Sequence, residues 1–245
     1  MAANEVEKNM KKGLFIFLLA CLFMPFTAEA QTVNAKAYYT DSEGTSYETD
    51  SIDNGEAPLA VEFRANPADM DGYTASYEWH FNKIDPNTGS AEFLVRYEED
   101  TQYTFVESGV YSIVLKTQVT QDGVTTELAS KSIGVVIADS KLEFPNAFSP
   151  NGDGLNDTFK AKKGYRSIVD FHAYIFNRWG QKLYEWTDVA GEWDGTHNGH
   201  PVKDGVYFVL VKARGADGRE YNIRRDVNVL RGLNQGNSGS SSAEE

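Results

Sequence analysis

Apolar residues recur at every second position in several short stretches of the chain, with polar residues between them. Leu59, Val61 and Phe63 share one face, as do Tyr77, Trp79 and Phe81, then Phe93, Val95 and Tyr97, then Tyr111, Ile113, Leu115 and Thr117. A period of two sends side chains to alternate faces of an extended backbone, so each stretch predicts a half-buried β-strand. Turn-forming groups separate them: Asp53-Asn-Gly, Asp71-Gly, Asp85-Pro-Asn-Thr-Gly, Ser108-Gly and Asp122-Gly. Short strands at this spacing, with no helical period between them, predict an immunoglobulin-like β-sandwich over residues 31–141, closed by Ile133-Gly-Val-Val-Ile-Ala138.

The same alternation continues over residues 142–232. Val169, Phe171, Ala173 and Ile175 fall on one face, and Arg178-Trp-Gly supplies the turn into a strand at 182–187. Tyr207, Val209 and Val211 lie opposite Val206, Phe208 and Leu210, an apolar pattern on both faces that predicts a central strand. Asp217-Gly followed by a strand at 221–230 completes a hairpin. The chain is therefore expected to be all-β, with two tandem antiparallel β-sandwiches. Tyr and Phe together number 27, which favours a strand-rich folded protein over a disordered one.

The two ends follow other patterns. Lys11 and Lys12 precede an apolar run from Gly13 to Phe26, and Ala28-Glu-Ala30 has the small-x-small form of a signal peptidase site. Residues 1–30 thus read as a signal peptide cleaved between Ala30 and Gln31, with Met10 a more natural start than Met1. A competing reading takes Leu18-Leu-Ala-Cys21 as a lipobox, but Leu-Phe-Met follows Cys21 instead of small polar residues. The run is shorter than the ~20 residues a spanning helix needs, so no transmembrane segment is expected in the mature chain. Residues 233–245 have the composition of a flexible linker.

Charge separates the two halves. Residues 31–143 carry seven Lys and Arg against twenty Asp and Glu, whereas residues 144–232 carry thirteen against eleven. The acidity belongs to the first domain and disfavours binding to nucleic-acid phosphates or acidic lipid. The sole cysteine, Cys21, leaves with the leader, which removes disulfides, thiolate-bound zinc and thiol catalysis together.

Two resemblances arise from the motifs. Tyr77-Glu-Trp-His-Phe81, followed by Tyr103-Thr-Phe-Val-Glu-Ser-Gly-Val-Tyr-Ser-Ile-Val-Leu-Lys116, resembles the polycystic-kidney-disease (PKD) type of Ig-like domain. It departs from that family where an Asp-Phe-Gly-Asp turn would follow the tryptophan. The second half carries four blocks: Phe144-Pro-Asn-Ala-Phe-Ser-Pro-Asn-Gly-Asp-Gly-Leu-Asn-Asp-Thr-Phe159, Ile175-Phe-Asn-Arg-Trp-Gly-Gln-Lys-Leu-Tyr184, Trp193-Asp-Gly-Thr-His-Asn-Gly-His-Pro-Val202 and Asp204-Gly-Val-Tyr-Phe-Val-Leu-Val211. In this order they resemble the gliding-motility-associated C-terminal domain, the type B sorting domain of type IX secretion in Bacteroidetes. The matching positions are Phe148, Pro150, Asn151, Gly152, Asp153, Gly154, Asn156 and Asp157, then Asn177, Arg178, Trp179 and Gly180, then Trp193, Asp194 and Gly195, and Asp204, Gly205 and Tyr207.

The resemblance implies a route more than a reaction. The protein would cross the inner membrane by its signal peptide and be passed to the periplasm, the outer-membrane surface or the medium. Its partners would be the type IX secretion machinery and outer-membrane or periplasmic envelope proteins. In size and layout the chain is similar to the small PorA-like proteins bearing this domain. An alternative is a surface adhesin or glycan-binding module, with Tyr38, Tyr39, Tyr47 and Tyr73, placed in turn-rich or irregular stretches, as a platform.

Candidate chemistry is sparse. Asn151, Asp153 and Asp157, spaced by glycines, resemble a calcium loop, since a hard cation takes several oxygens on a tightly bent backbone. The EF-hand spacing fails, because Leu155 stands at its fifth position and no Glu at its twelfth. A metal-free loop of Asx turns is the alternative. There is no Gly-x-Ser-x-Gly elbow and no His-Glu-x-x-His, and His197 and His200 beside Asp194 lie within the third block. No enzyme activity and no cofactor other than calcium is expected.

Overall fold

A computed structural model describes residues 30–232, so the expected leader with Cys21 and the tail at 233–245 lie outside the described residues. Its regular elements are strands, as the alternation predicts. The first domain packs two sheets face to face. One has the order Ser51–Gly55, Lys131–Ile137, Gly109–Gln121, Thr74–Asp85, Gly89–Arg96, with Val124–Glu127 also paired to Gly109–Gln121. The other has the order Ser46–Thr49, Lys36–Thr40, Leu59–Arg64, Thr101–Phe105.

The predicted inward residues fill the space between these sheets. Phe63 lies 6.0 Å from Trp79, 5.6 Å from Phe81 and 6.4 Å from Phe105, ring centre to ring centre. Trp79 is fully buried, and its indole N–H donates to the carbonyls of Glu98 and Glu99, which removes the cost of an unpaired polar group in the core.

Three expectations need correction. Asp53-Asn-Gly is not a turn: Ser51–Gly55 is a strand running parallel to Lys131–Ile137, because Ile52 is drawn into the core beside Val135. Phe93, Val95 and Tyr97 do not share a buried face. A register shift pairs Phe81 with Leu94 and Asn82 with Glu92, leaving Phe93 as the extra residue of a bulge, so Leu94 packs on the core and Tyr97 is exposed. Tyr38, Tyr39 and Tyr47 stand on paired strands instead of irregular chain, with Tyr39 opposite Tyr47 and their rings stacked at 5.1 Å.

The second domain is built on a five-stranded sheet of order Ala147–Phe148, Glu220–Val229, Gly205–Gly215, Ile168–Phe176, Lys182–Trp186. Short two-stranded ladders, Phe159–Lys160 with Glu192–Trp193 and Thr196–His197 with His200–Pro201, cover one face of it. Gly205–Gly215 is central, as predicted. Tyr207, Val209, Val211, Ala213 and Gly215 are buried, however, while Val206 and Phe208 on the opposite face stay exposed because no second layer covers them among the described residues.

The two domains share one local device. Gly109-Val-Tyr111 and Gly205-Val-Tyr207 each begin a long strand with glycine at φ 145° and 146°, a region that a side chain disfavours. In each, the tyrosine hydroxyl donates to a carbonyl four residues upstream, Glu107 at 2.9 Å and Lys203 at 2.7 Å. This resembles the tyrosine corner that pins the chain as it enters an Ig-type strand.

The domains meet through backbone as well as side chains. Ala216, at the tip of the last hairpin, is 8% exposed and belongs to the first domain's core. Its carbonyl accepts from Ser108 N at 3.0 Å and its N–H donates to Ser167 O at 2.9 Å. Ser167 Oγ in turn accepts from Ala57 N at 3.2 Å. Val169, predicted to sit with Phe171 in the second core, is displaced by a register shift between Ile168 and Asp170 and packs against the first core instead.

Candidate functional site

The four sequence blocks of the second domain span residues 144–211, and the fold brings the first, third and fourth to one end of the five-stranded sheet. Phe148 enters from its parallel pairing with Val229. Its ring lies 5.3 Å from that of Trp193, which is fully buried and lies 5.6 Å from Tyr207. The Trp193 indole N–H donates to Thr196 O at 2.8 Å, so the third block closes on itself. Gly195 adopts φ 76°, and a Cβ there would stand 3.0 Å from Pro150 Cγ and 3.3 Å from both Phe148 Cζ and Arg231 Nη2.

Arg231 joins these blocks. Its guanidinium donates to Pro150 O at 3.2 Å, Gly195 O at 3.3 Å, Val202 O at 2.6 Å and Asp204 Oδ1 at 2.8 Å, while its backbone N–H donates to Asp204 Oδ2 at 2.9 Å. That backbone bond, followed by the guanidinium, holds the Asp204 carboxyl below the usual carboxylate range. Burial pushes the Tyr207 hydroxyl upward. Sequence reasoning missed Arg231 as a functional residue. Its side-chain partners lie 27 to 81 positions away, so no local spacing could mark it.

The second block stands across a cleft of about 410 Å³, lined among others by Asn177, Trp179, Leu183, His197, Asp204 and Tyr207. Asn177 Oδ1 accepts from the backbone N–H of Trp179 at 3.0 Å and of Gln181 at 3.1 Å, fixing a tight turn. Trp179 is 80% exposed, with the Arg178 guanidinium 5.4 Å from its ring centre.

The expected calcium residues sit together on the loop after Phe148, where their oxygens receive hydrogen bonds. Asp157 Oδ1 accepts from Asn151 N at 3.0 Å and Gly152 N at 2.8 Å, and Oδ2 from Gly154 N at 2.8 Å. Asp153 Oδ1 accepts from Leu155 N at 2.8 Å, and Asn151 Oδ1 from Asp153 N at 3.1 Å. The last two are Asx turns, in which a side-chain oxygen accepts from the backbone N–H two residues on. Among the described residues no group of three or more His, Cys, Asp or Glu is placed to hold a metal. The carboxylates thus already have a structural use, closing the loop by satisfying its backbone donors.

His197 and Asp194 have structural roles too. His197 and His200 face each other across the two-residue turn Asn198-Gly199. His197 Nδ1 lies 2.8 Å from Leu183 O, to which it donates. Asp194 Oδ1 accepts from both the N–H and the hydroxyl of Thr196, at 2.9 and 2.8 Å.

Residues 142–224 match the family described as CHU_C Type IX secretion signal domain. No curated protein matches the chain. Among solved structures it is similar to a tetra-tandem repeat in the extending region of a large adhesion protein, at 11% identity over 82% of this chain and 68% of that one, with a TM-score of 0.27. The FN1–FN3 domains of chicken CNTN1 are 8% identical over 80% of this chain and 78% of theirs, TM-score 0.25. Dimeric latent PorU from Porphyromonas gingivalis is 13% identical over 85% of this chain and 21% of its own length, TM-score 0.25.

Proposed function

We propose that this chain, whose residues 142–224 form a type IX secretion signal domain, is a non-catalytic interaction component of a Bacteroidetes-type cell envelope. The domain marks the chain for export across the envelope by the type IX system. The finer reading is that the protein serves secretion or signalling in a PorA-like manner, with the PKD-like first domain spacing the signal and meeting other envelope proteins.

The observation that carries this reading is the convergence of the matched blocks on Arg231. Phe148, Trp193 and Tyr207 are used in packing, and Pro150, Gly195, Val202 and Asp204 in hydrogen bonding to one guanidinium. Motif residues used in packing and hydrogen bonding in this way support the reading of a surface shaped for a partner over that of a reactive centre.

The test compares the intact chain, carrying a surface tag in the first domain, with a chain ending at residue 141. In a strain with working type IX secretion the intact chain should reach the surface and the shortened one should stay periplasmic. Surface delivery of a folded, shortened chain would remove the assignment. Loss of function in a normally exported, folded His197→Ala or Asp194→Ala variant would point to chemistry in residues 193–202 and remove the non-catalytic part.

A further inference from the structure

We infer that the uncovered face of the second domain's five-stranded sheet is a docking surface for a protein with an apolar centre and a carboxylate rim. The inference rests on the export reading and names the part of the domain that is read. Val206, Phe208 and Leu210 alternate with buried Tyr207, Val209 and Val211, so they point away from the core. Phe208 is paired with Phe176, and Leu210 with Tyr174, on the neighbouring strand. At the end of that strand the turn at 177–180 adds Trp179.

Trp179 and Val206 line one cleft, and Phe176, Phe208 and Leu210 line a second of about 330 Å³. Trp179 is 80% exposed, Val206 45% and Phe208 44%. A sheet face meant only for water would carry polar residues at these positions. A contiguous apolar strip with a raised tryptophan instead has the composition of an interface centre.

Charge selects the partner. Around the strip, Arg178, Lys203 and Arg224 have no carboxylate in ion-pair contact among the described residues, whereas the nearby acids Asp204 and Glu185 are engaged by Arg231 and Lys182. Asp226 is the acidic residue lining the second cleft. A locally cationic rim on a chain of net charge −13 orients an acidic partner toward this face and away from the rest of the molecule. A second copy meeting it face to face would set like charges together. An anionic bilayer would match the charge, but it does not need the two recesses that side chains of a protein would fill.

The experiment uses the full chain in a strain with working type IX secretion, and reads the ratio of surface to periplasmic protein. Trp179→Ala and Phe208→Thr should each lower that ratio about tenfold or more, the scale of an interface hot spot. The double reversal Arg178→Glu with Arg224→Glu should do the same, while Tyr97→Ala and Val124→Thr, at exposed positions of the first domain, should leave it unchanged. Trp179 lies on an exposed turn, so its variant keeps its melting temperature and separates docking from folding. If wild type is exported through residues 142–232 and the three face variants are exported equally well, this face is not read, although the signal stands. If wild type itself is not exported, the underlying reading fails and the docking face falls with it. Salt-sensitive binding of the purified chain to phosphatidylglycerol vesicles, or a dimer in sedimentation that Phe208→Thr abolishes, would assign the face to lipid or to a second copy and overturn the proposal.

Discussion

Replacing Arg231 by Ala should loosen the end of the second domain at which three of the matched blocks meet. The Arg231–Asp204 pair is partly solvated, with side chains 25% and 47% exposed, so the ion pair by itself contributes under about 1 kcal/mol. The bonds to Pro150, Gly195 and Val202 matter more. They are part-buried and charge-assisted, and each carbonyl loses a donor in the variant, at about 1 kcal/mol apiece. The total is about 2–4 kcal/mol, because water reaches this end and refills some of the positions. Spread over a chain with about 200 folded residues, that loss lowers the melting temperature by about 5–15 °C. Arg231→Lys should recover little of it, since a single ammonium cannot reach four acceptors in a planar fork.

Acid separates the ionic part from the rest. Asp204 is held low in the folded state, so its contribution is fully present above its unfolded value and disappears as the pH falls through the depressed folded value. The gap between wild type and Arg231→Ala should therefore narrow under strongly acidic conditions and be constant near neutrality. The assay is thermal unfolding followed by circular dichroism across that range. A variant melting within about 1 °C of wild type at pH 7, or a lysine variant equal to wild type, would refute the clamp.

Gly195→Val forces a Cβ against Pro150 and Phe148 at positive φ, and should lower stability by about 2 kcal/mol or more in urea unfolding, with export reduced in step. The loop at 151–157 gives a clean alternative: if it holds calcium, the melting temperature rises with excess calcium over chelator by mass action, and equal melting in both leaves its side-chain-to-backbone hydrogen bonds as its support. Asp157→Ala removes the acceptor for three backbone donors and should destabilise by about 1–3 kcal/mol in either case, read by denaturant unfolding. Ala216→Asp places a charge in the first domain's core from the second domain's hairpin, and should lower the melting of the first domain, measured in the full chain.

Where alternation alone decides burial, the fold was legible in the sequence. Tyr77, Trp79 and Phe81 face inward because their strand is straight and paired without interruption to Gly109–Gln121. The misses fall at register shifts. Phe93 and Val169 both occupy a position where one strand gains a residue on its neighbour, and a bulge changes which side chains face inward without leaving a mark on the local pattern. Tyr38 and Tyr47 were misplaced because their strands are short: Ser46–Thr49 is a polar edge strand, and Lys36–Thr40 beside it buries only Ala37, so little alternation marks either. In the second domain the motif blocks were visible as sequence, but the residue that binds three of them together was not. Arg231 recruits mostly carbonyl oxygens, which every residue type possesses, so the identity of its neighbours carries no signal.

The junction between the domains follows the same logic and changes what the export signal is physically. Treated alone, the second domain would expose Ala216 and Val169 and leave Ser167 Oγ and the Ala216 carbonyl without their partners Ala57 and Ser108. Ser140 Oγ, at the crossing between the domains, also bonds Asp217 Oδ1 at 2.7 Å and Tyr221 hydroxyl at 2.8 Å, and a Cβ at Gly215 would collide with it. Because these contacts combine backbone hydrogen bonds with the burial of Ala216 in the first domain's core, the two domains resist bending where they join. The face carrying Trp179 and Phe208 is then presented at a set orientation relative to the acidic first domain. A partner drawn to the cationic rim meets repulsion if it approaches from the first domain's side, so the junction converts an uneven charge distribution into a preferred direction of approach.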